Sequence, residues 1–111
     1  MKVQISARHF EKITIFDISG DVDLATSPEL RKALLRELRE ARMPRVVLNL
    51  KAVRYIDSSG VASLVEGLKV SRDVGSRLIL YGLNTTVREV LQLSKLLRIF
   101  EVFENEEQAV A

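Results

Sequence analysis

The opening of the chain alternates between apolar and polar residues, which is the period of a β-strand with one buried face. The alternation runs over residues 2–8 and returns over residues 13–18 after a short polar break. Two such segments so close together predict an opening hairpin or an adjacent pair of strands. Gly20 interrupts the second alternation, and we expect the second strand to end there.

The period then changes to that of a helix. Thr26-Ser27-Pro28-Glu29 is a strong helix start, because Ser27 can cap the helix and proline suits its first position. Apolar residues then recur at helical spacing and form one stripe, and Pro44 ends the helix: Leu30, Ala33, Leu34, Leu38 and Ala41.

Strands and helices continue to alternate along the rest of the chain. Residues 45–50 form a nearly continuous apolar run, as expected of a parallel strand covered on both faces. A second helix follows Asp57-Ser58-Ser59-Gly60, and a fourth strand covers residues 77–81. A third helix begins at residues 84–86. A last strand covers residues 99–103, and the residues after it can form a final helical turn. The order β-β-α-β-α-β-α-β-(α) predicts an α/β fold, with helices packed on a mixed, mostly parallel sheet.

Composition narrows the class of protein. A chain of 111 residues with 47% hydrophobic content and no linker or repeat predicts one domain over residues 1–111. Cysteine is absent, which excludes disulfides, thiolate metal sites and cysteine nucleophiles. The longest uncharged stretch, residues 78–87, is too short to cross a membrane, and the N-terminal residues lack the apolar run of a signal peptide. We therefore expect a cytoplasmic protein without membrane insertion.

Known catalytic arrangements do not fit the sequence. Ser58 lacks the Gly-x-Ser-x-Gly elbow of hydrolases, since Ile56 stands two residues before it, and the single histidine, His9, is expected at the exposed side of the first strand. There is no phosphate-binding loop and no metal-ligand spacing. We predict no enzyme activity, no cofactor and no metal. The basic residues of the first helix alternate with glutamates, which is typical of a solvated surface and argues against nucleic-acid binding.

Ser58 and Ser59 remain the most informative residues, because they lie where a strand passes into a helix. The first amides of a helix lack intrahelical partners and favour an anion or phosphate, but a serine hydroxyl there can also be a simple cap. Gly60 adds no side chain that would block an approaching partner. The acidic pair Asp21 and Asp23 is interpreted as a solvated loop that helps to define the start of the first helix.

With Asp57-Ser58-Ser59-Gly60 set between a parallel strand and a helix, the sequence resembles the STAS family, and within it the anti-sigma factor antagonists. The resemblance covers nearly the whole chain and rests on four further segments, at residues 20–23, 46–50, 82–84 and 91–103. Val61-Ala62 stands where many members have Leu-Gly, which bears on the identity of the partner more than on the fold.

The resemblance implies a mechanism and a set of partners. Ser58 would be phosphorylated by an anti-sigma factor that carries a serine kinase domain of the histidine-kinase-like ATPase type. The unphosphorylated chain would bind that anti-sigma factor and free the sigma factor, the phosphorylated chain would not bind, and a PP2C-type phosphatase would reset it. The partner face implied by the family consists of the residues around the acceptor: Asp23, Asp57, Ser59, Gly60, Val61 and Ala62.

Two other functions remain open from the sequence. In the first, the chain is a constitutive STAS subunit of a lipid-transporting ABC system or a stress-signalling scaffold. Ser58 is then only a cap, and the neighbourhood of Val61 and Ala62 docks onto an ATPase. In the second, a small ligand or nucleotide binds at the helix terminus as an anion.

Overall fold

The computed structural model describes residues 2–111 and consists of one five-stranded sheet with its helices. The strands are β1 (Gln4–His9), β2 (Ile13–Val22), β3 (Arg45–Ile56), β4 (Arg77–Tyr81) and β5 (Glu101–Phe103). The helices are α1 (Ser27–Leu35), α2 (Ser58–Val74), α3 (Thr85–Leu93) and α4 (Glu106–Val110). A π-helical turn (Arg36–Glu40) extends α1, and a 3₁₀ turn (Leu97–Ile99) precedes β5. Met1 lies outside the described residues. Two predictions include it: the single domain over residues 1–111, and the N-terminal segment that lacks the apolar run of a signal peptide.

The sheet has the strand order β1-β2-β3-β4-β5. β1 pairs with β2 in antiparallel fashion, while each of the following pairs is parallel. The predicted α/β class and the predicted order of elements are therefore confirmed. In residues 2–111, no helix has the length and apolar character needed to cross a membrane.

The third strand is much longer than predicted. It has 12 residues and ends at Ile56, whereas the apolar run ends at Leu50. β4 pairs with β3 only as far as Asn49, and beyond that point β3 pairs with β2 alone, up to Val22 opposite Ile56. A two-stranded ribbon thus projects past the rest of the sheet. Several residues of β3 on this ribbon are exposed, so the apolar run in the sequence stops before the strand does: Lys51, Ala52, Arg54 and Tyr55.

Gly20 lies inside β2, so the prediction that it ends the strand is wrong. Its φ angle is +90°, and a Cβ atom at this position would lie 2.3 Å from the carbonyl oxygen of Lys2. Only glycine combines that conformation with so close a backbone contact. The register of β2 against β3 shifts on either side of Gly20, which marks a bulge within a continuing strand.

The first helix begins differently from its prediction. Ser27 is buried inside α1 and does not cap it, and Thr26 stands at the cap position without a side-chain hydrogen bond to the helix. Arg31 of this helix pairs with Glu66 of α2 (Nε–Oε1 2.7 Å), so a charge on its surface links two helices.

The last strand begins at Glu101 and is shorter than predicted.

The core lies on both sides of the sheet. Its larger part is packed between the sheet and helices α1, α2 and α3, around Leu48, Leu34 and Leu64. On the opposite side a smaller cluster packs under α4: Ile15, Val47, Ile79, Tyr81 and Ala109. Val47 and Leu48 are both fully buried, which confirms that this part of β3 is covered on both faces.

A polar network borders the smaller cluster. The guanidinium group of Arg8 donates hydrogen bonds to both carboxylate oxygens of Asp17, with the shorter at 2.6 Å, and to both of Glu106 in α4. Tyr81 donates its hydroxyl to Glu106 (2.7 Å), and Asn49 donates its amide to Asp17 (2.8 Å). This network links α4 to residues of four strands of the sheet, β1 to β4.

The same contacts shift the ionisation of the network. Hydrogen bonds from Arg8 hold the pKa values of Asp17 and Glu106 below their usual range. Burial, followed by the hydrogen bond to Glu106, raises the pKa of Tyr81 to about 12. Both carboxyl groups lose protons more readily in the folded chain than in the unfolded chain. Their stabilisation is therefore complete above about pH 5 and is lost as the pH falls below about 4.

Arg8→Met should remove this pH dependence because it removes the group that lowers both pKa values. We expect wild type to lose more stability between pH 6 and pH 3 than Arg8→Met does, as measured by urea denaturation. Lys12→Met is the matched control, since it removes an exposed positive charge for which no ion pair is found within residues 2–111. Equal losses of stability in wild type and Arg8→Met would show that the network does not couple folding to pH.

Candidate functional site

The site lies at the tip of the β2–β3 ribbon, where Asp57 connects β3 to α2. Asp57 has extended backbone angles, and its Oδ1 accepts hydrogen bonds from the amides of Ser59 (2.9 Å) and Gly60 (3.2 Å). Its Oδ2 accepts a third from the amide of Leu24, in the loop between β2 and α1 (3.2 Å). One carboxylate therefore caps α2 and also fixes the neighbouring loop.

The loop after β2 is ordered by its own aspartate. Oδ1 of Asp23 accepts hydrogen bonds from the amides of Ala25 (3.0 Å) and Thr26 (3.1 Å). The hydroxyl of Thr26 accepts one from the amide of Asp23 (2.9 Å). The prediction that the acidic pair helps to define the helix start thus holds for Asp23, which folds the loop and is itself partly exposed.

Ser58 is the first residue of α2 and its side chain is exposed. Asp57, not Ser58 or Ser59, caps the helix, so the interpretation of these serines as caps is wrong. Within residues 2–111, no hydrogen bond is found for the Ser58 hydroxyl. A hydroxyl that is exposed, unbonded and mounted on a well-fixed helix end is available to another molecule.

Gly60 has a different role from the one expected. It is buried and faces inward, and a Cβ atom there would lie 2.6 Å from Cγ1 of Ile56 and 2.7 Å from the carbonyl oxygen of Val22. The interpretation that Gly60 leaves room for a partner is therefore wrong. The missing side chain lets α2 approach the ends of β2 and β3, and this approach brings Ser58 to the tip of the ribbon.

The structure brings the predicted partner-face residues together but not all at the surface. Ala62 is exposed together with Ser58, one helical turn further along α2. Asp23, Asp57 and Ser59 are partly exposed. Val61 is buried with Gly60, although it still lines the floor of an open groove.

Sequence reasoning missed two exposed apolar side chains near the tip of the ribbon. Leu24 is 75% exposed and lies in the loop bound by Asp57, and Tyr55 is 49% exposed near the end of β3. Both add apolar area to the surface at this end of the sheet. Leu24 could have been noticed as an apolar residue in an otherwise polar loop, whereas Tyr55 reads as an ordinary strand residue.

An apolar groove also opens at Ser58 and runs between α2 and α3. Its volume is about 700 Å³. The α2 wall bears Val61, Ala62 and Val65, and the α3 wall bears Val90, with further residues at the ends: Ser58, Glu66, Lys69, Ser94 and Leu96. The groove continues the exposed surface around Ser58 along the helices.

The arrangement defines an α/β domain with a serine presented at a strand-to-helix junction. The STAS domain family model matches residues 4–109, and the chain belongs to that family. The predicted family is thereby confirmed.

Relatives and solved structures agree with this assignment. The chain is 27% identical over 110 residues to the "Anti-sigma F factor antagonist" of Paenibacillus polymyxa, covering 99% of this chain and 94% of the relative. An anti-sigma factor antagonist from Mycobacterium paratuberculosis superposes with a TM-score of 0.83 at 19% identity, covering 98% and 92% of the two chains. The phosphorylated form of the Bacillus cell fate determinant SpoIIAA superposes with a TM-score of 0.75 at 20% identity and 96% coverage of each chain.

Gly60→Ala should destabilise the fold, because a methyl group at this position meets a backbone carbonyl that cannot rotate away. We expect a loss of about 1–3 kcal/mol in the free energy of unfolding, measured by urea denaturation. Gly67→Ala is the matched control on the same helix, since its Cβ would meet side-chain atoms and no backbone, with Cδ1 of Leu34 at 3.0 Å and Cδ2 of Leu78 at 3.5 Å. It should cost less than about 1 kcal/mol, because alanine also favours the helix. Equal losses would refute the packing role of Gly60.

Proposed function

We propose that the chain is an anti-sigma factor antagonist that acts as a switch, with Ser58 as its phosphoacceptor. The unphosphorylated form binds an anti-sigma factor and so releases a sigma factor. The phosphorylated form does not bind. The observation that carries this proposal is the exposed, unbonded hydroxyl of Ser58 beside a helix cap that Asp57 already supplies.

The capping by Asp57 decides what a phosphate on Ser58 would do. Three first-turn amides at this helix end could bind a nearby anion, and Asp57 already occupies two of them, those of Ser59 and Gly60, which leaves only the amide of Ser58 itself. A phosphoserine carries about −1.5 to −2 charge at neutral pH. Its charge would stand next to the carboxylate of Asp57 and face outward, where a partner has to dock.

The surroundings of Ser58 support a protein partner. Exposed Leu24, in the loop bound by Asp57, and exposed Ala62, one turn along α2, offer apolar area near the hydroxyl. A phosphate at the centre of such a surface would have to be desolvated on binding without a counter-charge from this helix end, which is strongly unfavourable. The relatives named as anti-sigma factor antagonists and the phosphorylated form of SpoIIAA support the same role.

The chain contributes only the hydroxyl and the recognition surface. In this proposal the nucleotide site belongs to the anti-sigma factor, through a serine kinase domain of the histidine-kinase-like ATPase type. A PP2C-type phosphatase removes the phosphate and restores binding. Both reactions take place in the cytoplasm.

Ser58→Ala should abolish phosphorylation, and Ser59→Ala should not. The purified chain is incubated with labelled ATP, magnesium and each anti-sigma factor kinase encoded in the same genome, and the site is mapped by mass spectrometry. We expect one phosphate on Ser58, since Ser59 is less exposed and its amide is held by Asp57. Labelling of Ser59 would refute the choice of acceptor. Labelling of wild type without a kinase would show that the chain itself is catalytic.

Ser58→Asp should weaken binding to the anti-sigma factor at least tenfold while the fold persists. The added carboxylate places negative charge beside Asp57 at the docking surface, and Ser58→Asn is the matched uncharged control. Affinity is measured by calorimetry, and folding is checked by circular dichroism. If Ser58→Asp binds as tightly as wild type, the chain is a constitutive interaction subunit and the switch is refuted.

A further inference from the structure

We propose that the groove between α2 and α3 receives an amphipathic helix of the anti-sigma factor, with a carboxylate of that helix over Lys69. This inference rests on the proposed function and extends the docking surface well beyond Ser58. The groove begins at Ser58 and reaches Lys69, eleven residues further along α2. At 1.5 Å per residue, its length is about 16 Å, or three turns of a helix.

The walls of the groove favour a helix as its occupant. Val61, Ala62 and Val65 project from α2 at helical spacing, and Val90 faces them from α3. A trough between two helices accepts the side-chain ridge of a third, with apolar residues at every third or fourth position. Leu93 follows Val90 by one turn and is 83% exposed at the end of α3; it lies outside the groove lining, and in this proposal the bound helix also contacts it.

Charges at the end of the groove specify the partner further. Glu66 is held by Arg31 through two hydrogen bonds of 2.7 and 2.8 Å, so its charge is already compensated. Lys69 is exposed, and no ion pair to it is found within residues 2–111. Lys69 also interacts electrostatically with Glu66, but Arg31 and Lys69 together outweigh that one carboxylate, so the net charge at this end is positive, which is complementary to an acidic side chain on the occupant.

Because the groove begins at Ser58, we expect its occupant to be the same partner that reaches Ser58, the anti-sigma factor. The same groove that starts at the acceptor hydroxyl ends at Lys69, so a partner whose active site reaches Ser58 already covers its entrance. A helix along the groove would hold the kinase in place without touching the hydroxyl. The groove therefore contributes to affinity and to the capture of the chain as a substrate, and leaves the phosphoryl transfer itself to the kinase.

Leu93→Ser and Lys69→Glu test the groove at positions far from Ser58. Both side chains are exposed, so the fold should persist, as checked by thermal melting. We expect each variant to bind the anti-sigma factor kinase at least tenfold more weakly and to raise KM for Ser58 phosphorylation with little change in kcat. The effect of Lys69→Glu should shrink between 50 and 500 mM salt, and that of Leu93→Ser should not.

Matched controls lie at the opposite end of the sheet. Phe10→Ser removes another exposed apolar side chain, and Lys12→Glu reverses another exposed charge, in the turn before β2. Both should bind and react as wild type does. If the two groove variants also behave as wild type, while wild type binds the kinase, the groove is refuted and the proposed function stands.

Two other results of these experiments would have different meanings. If wild type binds none of the anti-sigma factor kinases encoded in its genome, the proposed function fails and the inference fails with it. If sedimentation equilibrium shows a dimer of wild type that Leu93→Ser dissociates, the groove is occupied by a second copy and the helix of the anti-sigma factor is refuted as its occupant.

Discussion

The carboxylate of Asp57 is the contact on which the site depends. It receives three amides, two from the first turn of α2 and one from Leu24 in the loop after β2. A single side chain therefore sets the position of a helix relative to a loop that is more than thirty residues away in sequence. Because Asp57 satisfies the helix end, the adjacent Ser58 is not needed as a cap. An aspartate in that place leaves the hydroxyl of Ser58 exposed and without a hydrogen bond in the part of the chain that the structure describes.

A second constraint acts beneath that carboxylate. The ribbon of β2 and β3 extends past β4, and α2 can begin at its tip only if the helix approaches the backbone of Val22 closely. Gly60 permits this approach, since any side chain would overlap Ile56 and the Val22 carbonyl. Asp57 and Gly60 thus act together, one by hydrogen bonds and the other by the absence of a side chain. The exposed Ser58 is the result of both.

The sequence predicted the order of elements and the sheet class, because changes from a two-residue to a helical period mark them directly. The role of the junction at Asp57 and Ser58 stays a prediction. The end of β3 could not be predicted from the sequence, since its last residues face solvent on the ribbon and break the apolar pattern. Only the serines were considered as caps, although aspartate is an equally good cap, and the structure shows that Asp57 takes the amides of Ser59 and Gly60. The groove was hidden because Val65 and Val90 read as core residues until two helices are placed side by side.

The distribution of stabilising contacts explains how a charge at Ser58 can act on binding alone. The network of Arg8, Asp17 and Glu106 lies on the other side of the sheet, and the larger core lies beneath the helices. A phosphate on Ser58 would touch neither of them, and the amides of the first turn would stay with Asp57. The folded chain therefore has no contact to lose when its surface charge changes. In the proposed switch, negative charge at a desolvated interface is sufficient, and the chain needs no second conformation.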